Sequence, residues 1–198
     1  MIKFCEQRRI GKLLFISSQA IFGSAELIKS EDSEPVPDND YGKSKLMAEK
    51  KLLSWNKNSE SSLVIIRPSV VFGSGSTGNF DRLIKQIRLK KFFMIGNGNN
   101  TKSVSFVKNL VGYIVFCISL MDKEKLIISN YADKPDMEIK DLVDYIYLAF
   151  GYKKKKIKIP YFIGIVVGYF FDFFTAITGI QTSISSLRIK KFCANSIF

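Results

Sequence analysis

The sequence predicts an α/β fold in which the short strands of a parallel sheet alternate with helices. Residues 12–17 and 63–67 are continuous apolar runs rich in β-forming side chains, a pattern typical of strands covered on both faces. Between them, residues 42–55 place leucines at helical spacing among Lys and Glu. Strand, helix and strand together form one βαβ unit. With 198 residues, 46% of them apolar, the chain can bury a core of its own.

The elements that follow continue this alternation. Residues 23–40 are polar and acidic and include Pro35 and Pro37, which predicts a long surface loop leading into the first helix. Further helices are predicted over 79–89, 109–120 and 139–150, and further strands over 104–107 and 126–129.

Composition restricts the chemistry that the chain can perform. The sequence contains no His, which removes Ser-His-Asp and Cys-His systems, His-ligated metals and imidazole bases together. The cysteines Cys5, Cys117 and Cys193 are far apart and lie among apolar neighbours, so we expect neither a metal site nor a disulfide framework. A reducing, cytoplasmic location follows as the simplest expectation.

The chain is strongly basic, with thirty Lys and Arg against eighteen Asp and Glu and a net charge of +12. This charge is compatible with nucleic acid, anionic lipid or phosphorylated substrates as partners. The sequence has no basic motif interleaved with aromatic residues, so a nucleic-acid partner is not expected.

One pair of side chains at the start of the first helix could perform acid-base chemistry. Tyr41 and Lys45 are four residues apart, so both lie on one helical face about one turn apart. An ammonium beside a phenol stabilises the phenolate, which makes the pair a usable base. Ser17 and Ser18 follow the upstream strand at its carboxyl end, where open α/β sheets place residues that contact ligands.

Three blocks in order resemble the extended short-chain dehydrogenase/reductase family, which includes the NAD-dependent nucleotide-sugar epimerases and dehydratases. They are LLFISSQAIFG (13–23), YGKSKLMAEKKL (41–52) and IIRPSVVFGSG (65–75). The resemblance implies a partial Rossmann-like parallel sheet with helices on both faces and a smaller, mostly helical C-terminal substrate domain. On this basis residues 1–73 and 104–129 are the remnant of the dinucleotide-binding domain. Residues 74–103 and 130–198 are the substrate-binding domain.

The resemblance also assigns roles to the pair and its neighbours. It makes Tyr41 the catalytic acid-base and Lys45 the residue that holds the nicotinamide ribose and tunes the phenol. Ser18 would contact the reacting oxygen of the sugar, and Ser17 would lie on the NAD side with Tyr41 and Lys45.

Further positions are assigned to substrate binding by the same resemblance. Ser18 and Gln19 would contact the sugar, while Asn79 and Lys102 would contact the diphosphate. In family members that eliminate water, an acidic pair stands where this chain has Gln19 and Ala20. Dehydration is therefore disfavoured.

The reaction implied is epimerisation of a nucleotide-diphosphate sugar at C4, in which NAD takes a hydride from the sugar ring and returns it. A dehydrogenase or reductase of the same family fits the same residues. A third hypothesis, from a different functional class, is an inactive, membrane-associated remnant.

A part of the family's cofactor site has no counterpart in the sequence. In the family a glycine-rich turn after the first strand holds the NAD pyrophosphate, and nothing before residue 12 matches that turn. Residues 73–78 have G-x-G-x-x-G spacing, but no acidic residue follows about 20 positions later, so we do not assign them to the dinucleotide. We expect the chain to be a piece of a longer protein that forms a homodimer.

Residues 161–180 form an apolar segment with one charge, Asp172, preceded by a lysine run at 153–156. Its length suits a membrane span. A carboxylate near its middle would cost about 2.5 to 3.5 kcal/mol on insertion scales, which favours a buried helix or a helix on the membrane surface. A peripheral membrane contact through 153–180 is thus compatible with the sequence.

Overall fold

The computed structural model describes residues 2–23, 28–75, 78–153, 157–180, 182 and 184–198. Residues 24–27 of the predicted loop, 76–77 of the glycine-rich segment and 154–156 of the lysine run lie outside the described residues. The chain forms two compact units, the first made of Met1–Ser76, Ser103–Pro135 and Ile197–Phe198 and the second of Thr77–Lys102 and Asp136–Ser196. The roles predicted for the two parts, cofactor binding and substrate binding, stay predictions.

Helices and strands alternate along the described part of the chain. The helices are α1 (Ile2–Gln7), α2 (Asp40–Lys57), α3 (Asn79–Arg88), α4 (Val107–Leu120), α5 (Ile139–Ala149), α6 (Tyr161–Thr178) and α7 (Ser186–Cys193). The strands are β1 (Lys12–Ile16), β2 (Ser62–Pro68), β3 (Val70–Phe72), β4 (Met94–Ile95), β5 (Thr101–Phe106), β6 (Leu126–Tyr131), β7 (Asp133–Glu138) and β8 (Lys158–Ile159).

The first unit is built on a parallel sheet with strand order β1-β2-β6. Strand β2 lies in the middle, and each of its residues after Ser62 is buried. Helix α4 packs on one face of the sheet, where Leu110 and Cys117 meet Val64 and Ile66. On the other face, Leu52 of α2 packs against neighbouring β2 side chains. The prediction of a parallel sheet covered by helices on both faces is confirmed.

Six short or polar elements, α1, α7, β3, β4, β7 and β8, were not predicted from the sequence. Two of them, β3 and β7, lie on either side of β5 in a second sheet, in which β3 runs parallel to β5. Strand β7 has the sequence DKPDME, which lacks the alternation of apolar residues that marks a strand. A polar strand that contains Pro135 is tolerated at a sheet edge, where one side of its backbone needs no partner strand.

The second unit contains helices α3, α5, α6 and α7 and the small parallel pair of β4 and β8. Helix α6 is long and apolar enough to cross a membrane by length and composition. Of its eighteen residues, all of them described, two are buried, Gly164 and Gly168. The expectation of a buried helix is therefore wrong, because the bulky side chains of α6 project away from the rest of the unit. The alternative of a helix on a membrane surface stays a prediction.

Candidate active site

The carboxyl end of β1 leads directly into a single turn of 3-10 helix, Gln19–Phe22. Ser18 caps this turn, because its Oγ accepts a hydrogen bond of 3.2 Å from the backbone N–H of Ala20. Ser17 is buried, and its N–H donates to the carbonyl oxygen of Ile66 on the neighbouring strand. Strand pairing and the cap together fix the backbone of both serines at the end of the sheet.

Helix α2 starts against this turn. Asn39 caps the helix, its side-chain oxygen accepting a hydrogen bond of 2.9 Å from the N–H of Gly42. A Cβ at position 42 would collide with the carbonyl oxygen of Ala20 and would lie 3.0 Å from Pro37. Gly42 therefore allows the backbone of the helix to approach the serine turn. Neither residue was predicted from the sequence to help build the site, although an Asn before a helical pattern is a known start signal.

The structure brings Lys45 and Tyr41 together with the end of β1. The Lys45 ammonium donates a hydrogen bond of 2.8 Å to the carbonyl oxygen of Ile16. The same ammonium lies 5.7 Å from the centre of the Tyr41 ring and 5.0 Å from that of Phe15. Tyr41 itself is 55% exposed, so its side chain is accessible from the solvent. A fixed positive charge next to an accessible phenol is the arrangement that acid-base chemistry by a Tyr requires.

Two buried polar side chains near the pair have no hydrogen-bond partner among the described residues. They are Ser17 through its Oγ and Gln19 through both atoms of its side-chain amide. The two residues are only 2% and 3% exposed. A buried polar group without a partner costs about 1 to 3 kcal/mol, so such groups are expected where a ligand completes the site.

A buried ion pair holds α2 against β2. Three hydrogen bonds of 2.7 to 3.2 Å run from the Arg67 guanidinium to the Glu49 carboxylate. A fourth runs from Nη1 of Arg67 to the carbonyl oxygen of Glu31, at 3.2 Å. Tyr41, Lys45 and Glu49 recur at intervals of four, so they share one face of the helix. That face is thus tied to β1 by the lysine and to β2 by the glutamate.

The remaining predicted site residues, Asn79 and Lys102, belong to the second unit. Asn79 is the first residue of α3 and is exposed. The Lys102 ammonium donates a hydrogen bond of 2.9 Å to the carbonyl oxygen of Lys191. Burial lowers the pKa of Lys102 to about 8, and the charge of Cys193 partly opposes this shift. The predicted contacts of both residues with a diphosphate stay predictions.

Metal chemistry has no candidate site among the residues that the structure describes. No three His, Cys, Asp or Glu side chains in these ranges lie where they could hold a metal ion together. The three cysteines are free thiols.

The parallel sheet ends in serines that adjoin the start of a helix, and that helix begins with a Tyr and a Lys one turn apart. These features together define a short-chain dehydrogenase/reductase domain. Residues 1–128 match the model of the NAD dependent epimerase/dehydratase family, and the chain belongs to this family. The resemblance drawn from the three sequence blocks is thus confirmed, as is the NAD dependence that it implied for the family.

Known relatives are similar to this chain over part of their length. The N-acetyl-alpha-D-glucosaminyl-diphospho-ditrans,octacis-undecaprenol 4-epimerase of Escherichia coli O157:H7 is 38% identical over 195 residues, 98% of this chain and 59% of the relative. The UDP-glucose 4-epimerase of Vibrio cholerae is 37% identical over 114 residues, 55% of this chain and 34% of that enzyme. The chain thus spans well under two thirds of either relative.

Solved structures agree with the fold. The UDP-glucuronic acid 4-epimerase from Bacillus cereus, in complex with NAD, superposes with a TM-score of 0.71 at 25% identity. The match covers 80% of this chain and 53% of that enzyme. The predicted α/β class with a Rossmann-like sheet is therefore confirmed.

Proposed function

We propose that this chain carries the acid-base machinery of an NAD-dependent 4-epimerase that acts on a hexose joined to a carrier through a diphosphate. The observation that supports this most directly is the Lys45 ammonium, fixed to the end of β1 and placed beside the exposed ring of Tyr41. The named relatives, which are 4-epimerases of diphosphate-linked sugars, support the choice of reaction.

Each side chain then has one task. Tyr41 takes the proton of the C4 hydroxyl and later returns it, while the Lys45 charge stabilises the phenolate. The Ser18 Oγ already accepts a hydrogen bond from Ala20, which leaves its O–H to donate to the sugar oxygen. These groups bind the reacting sugar oxygen and move its proton.

The residues near the end of β1 fit the nicotinamide end of NAD. The Ser17 Oγ is buried without a partner, and the Lys45 ammonium can donate two more hydrogen bonds besides the one to Ile16. When bound, NAD supplies the hydride acceptor and donor. The chain's own part is to place the phenol and the serine hydroxyl at the carbon that reacts.

The carrier on the far side of the diphosphate separates two variants of the proposal. The Escherichia coli relative is named for a lipid carrier, undecaprenol, and the Vibrio cholerae relative for a nucleotide, UDP. The two kinds of substrate share the diphosphate and the hexose, and these are the parts that Ser18, Gln19, Asn79 and Lys102 are proposed to contact.

The test uses the purified protein at its full natural length with UDP-glucose, UDP-N-acetylglucosamine and the undecaprenyl-diphosphate-linked sugar. We expect C4 inversion with one carrier class, with deuterium placed at C4 retained in the product because the hydride returns to the same carbon. Tyr41→Phe should lower kcat by about 10² to 10⁴-fold. The matched control is Tyr145→Phe, at an exposed Tyr of α5, which should keep full activity.

Other outcomes contradict the proposal in distinct ways. Stoichiometric accumulation of NADH with an oxidised sugar would identify a dehydrogenase of the same family. Absence of turnover with every sugar would identify an inactive remnant. Undiminished activity of Tyr41→Phe would show that another group moves the proton.

A further inference from the structure

Helix α6 presents a continuous stripe of large apolar side chains to the solvent. Its members are all at least 65% exposed: Phe162, Val166, Phe170, Phe173 and Ile177. At 3.6 residues per turn they lie within about 80° of arc on one side of the helix. Five adjacent exposed side chains of this size exceed the scattered apolar residues of an ordinary soluble surface and indicate an interaction site. We call this set the α6 stripe.

The opposite side of the helix packs within its own unit. Gly164 and Gly168 lie about 180° from the centre of the stripe. A Cβ on Gly168 would lie 2.7 Å from the Cα of Ser186, and one on Gly164 would lie 2.7 Å from Ile95. The small glycine face therefore fits closely against α7 and β4, and the orientation of the stripe is fixed by that packing.

The charge that weakens the case for a membrane span is hydrogen-bonded within this packing. The Asp172 carboxylate accepts hydrogen bonds from the N–H and the hydroxyl of Ser186, at 3.1 and 2.6 Å. It thus sits at the amino end of α7, where a negative charge is favourable. The carboxylate is turned towards the protein and does not interrupt the stripe.

The surroundings of the stripe are basic. From residue 145 to residue 198 the sequence contains eight Lys and Arg and a single acidic residue, Asp172. Lys158 before α6 and Arg188 on α7 are exposed, and the Lys190 ammonium lies 2.9 Å from the hydroxyl of Tyr169 on α6. The second unit has fifteen Lys and Arg against six Asp and Glu, a net +9 of the chain's +12.

We propose that α6 lies in the surface of an anionic lipid bilayer, with the α6 stripe among the acyl chains and the basic side chains at the headgroups. An apolar face with a basic border has the composition of an interfacial helix. A span is disfavoured by the structure, because the glycine face is occupied by α7, whose Arg188 and Lys190 would be drawn into the hydrocarbon. The proposal does not rest on the proposed catalytic function.

The test measures binding of the purified chain to sedimenting vesicles of phosphatidylcholine, with and without phosphatidylglycerol. We expect binding to the anionic mixture that weakens as salt is raised. The double variant Phe170→Ser/Phe173→Ser should partition about tenfold or more weakly. The variant Lys158→Gln/Arg188→Gln should lose much of the additional binding that phosphatidylglycerol provides and keep the weak binding to phosphatidylcholine alone.

Controls separate lipid contact from misfolding. Tyr145→Ser/Leu148→Ser removes two exposed apolar side chains from α5 of the same unit, and it should bind like the unchanged chain. A depth measurement adds independent information, with Trp55→Phe removing the native fluorophore. In that background Phe173→Trp should give fluorescence that brominated lipid quenches, whereas the fluorescence of Leu148→Trp should not be quenched.

Three results would overturn the proposal. Equal binding of the Phe170→Ser/Phe173→Ser variant would mean that the α6 stripe does not touch lipid. Self-association in gel filtration that the same variant abolishes, without vesicle binding, would identify a second copy of the chain as the occupant. Membrane association that resists carbonate extraction would identify a true span.

Discussion

The ion pair between Glu49 and Arg67 provides the sharpest test of how the site is held in place. Glu49 is 1% exposed, and its carboxylate receives three of the four hydrogen bonds that the guanidinium makes. Glu49→Leu leaves a buried positive charge with one carbonyl partner, that of Glu31. Removing one partner of a buried pair costs about 3 to 5 kcal/mol of unfolding free energy.

The double variant isolates the interaction itself. Replacing both residues by apolar side chains of similar volume is often close to neutral, because the cost of desolvating both charges disappears with them. We therefore expect Glu49→Leu/Arg67→Met to be nearer to the unchanged chain than either single variant. The coupling energy in the cycle should be about 3 kcal/mol or more.

Trp55 allows the unfolding of the first unit to be followed by fluorescence. It is the only Trp of the chain, it is buried, and it lies on α2 six residues after Glu49. Its fluorescence during urea unfolding therefore reports on the first unit. With a typical slope of about 1 to 3 kcal/mol per molar urea, Glu49→Leu should lower the midpoint by roughly 1 to 5 M. A loss below 1 kcal/mol, or additive single variants, would show that the pair does not secure the helix.

Three further predictions follow from the same structure. Gly168→Ala should destabilise the chain by about 1 to 3 kcal/mol because its Cβ would press on Ser186, whereas Gly112→Ala, with open space on α4, should stabilise it by up to about 1 kcal/mol. Thermal unfolding followed by circular dichroism measures both changes, and changes in stability of the same sign would contradict the reasoning. Gln19→Met should raise the unfolding free energy by about 1 kcal/mol by removing an unpartnered buried amide. A lower unfolding free energy, measured by urea unfolding, would mean that the amide is paired. The pKa of Lys102 is lowered to about 8, so between pH 8 and 10.5 the unfolded state holds more protons than the folded state and the free energy of unfolding rises with pH. Lys102→Met should remove that rise. The same pH dependence of the unfolding free energy in the variant would contradict the shift.

The parts of the fold that sequence could predict are those with a strong periodic signal. Strands β1 and β2 are continuous apolar runs because both faces of the sheet are covered, and α2 combines a helical pattern with a start signal at Asn39. The two-residue strands β4 and β8 and the polar edge strand β7 carry no such signal. Their pairing depends on backbone hydrogen bonds, which are independent of side-chain type.

In the candidate site, too, local features could be predicted from the sequence and distant contacts could not. The spacing of Tyr41 and Lys45 is local, so the sequence alone places them on one helical turn. The partners that fix them are distant: Lys45 bonds to Ile16, and Glu49 pairs with Arg67, eighteen residues further along the chain. The exposure of α6 could not be predicted from the sequence either, because a helix in a core and a helix on an interacting surface can have the same apolar composition.

Strand β1 is paired on one flank only within the described residues, by β2. The amide and carbonyl groups along its other flank form a ready template for one more parallel strand, and its KLLFI sequence carries no bulge or proline to discourage docking. When this chain is produced by itself, β1 is consequently one edge at which cross-chain β-pairing and aggregation should begin. Adding a complementary strand in the same polypeptide should restore solubility.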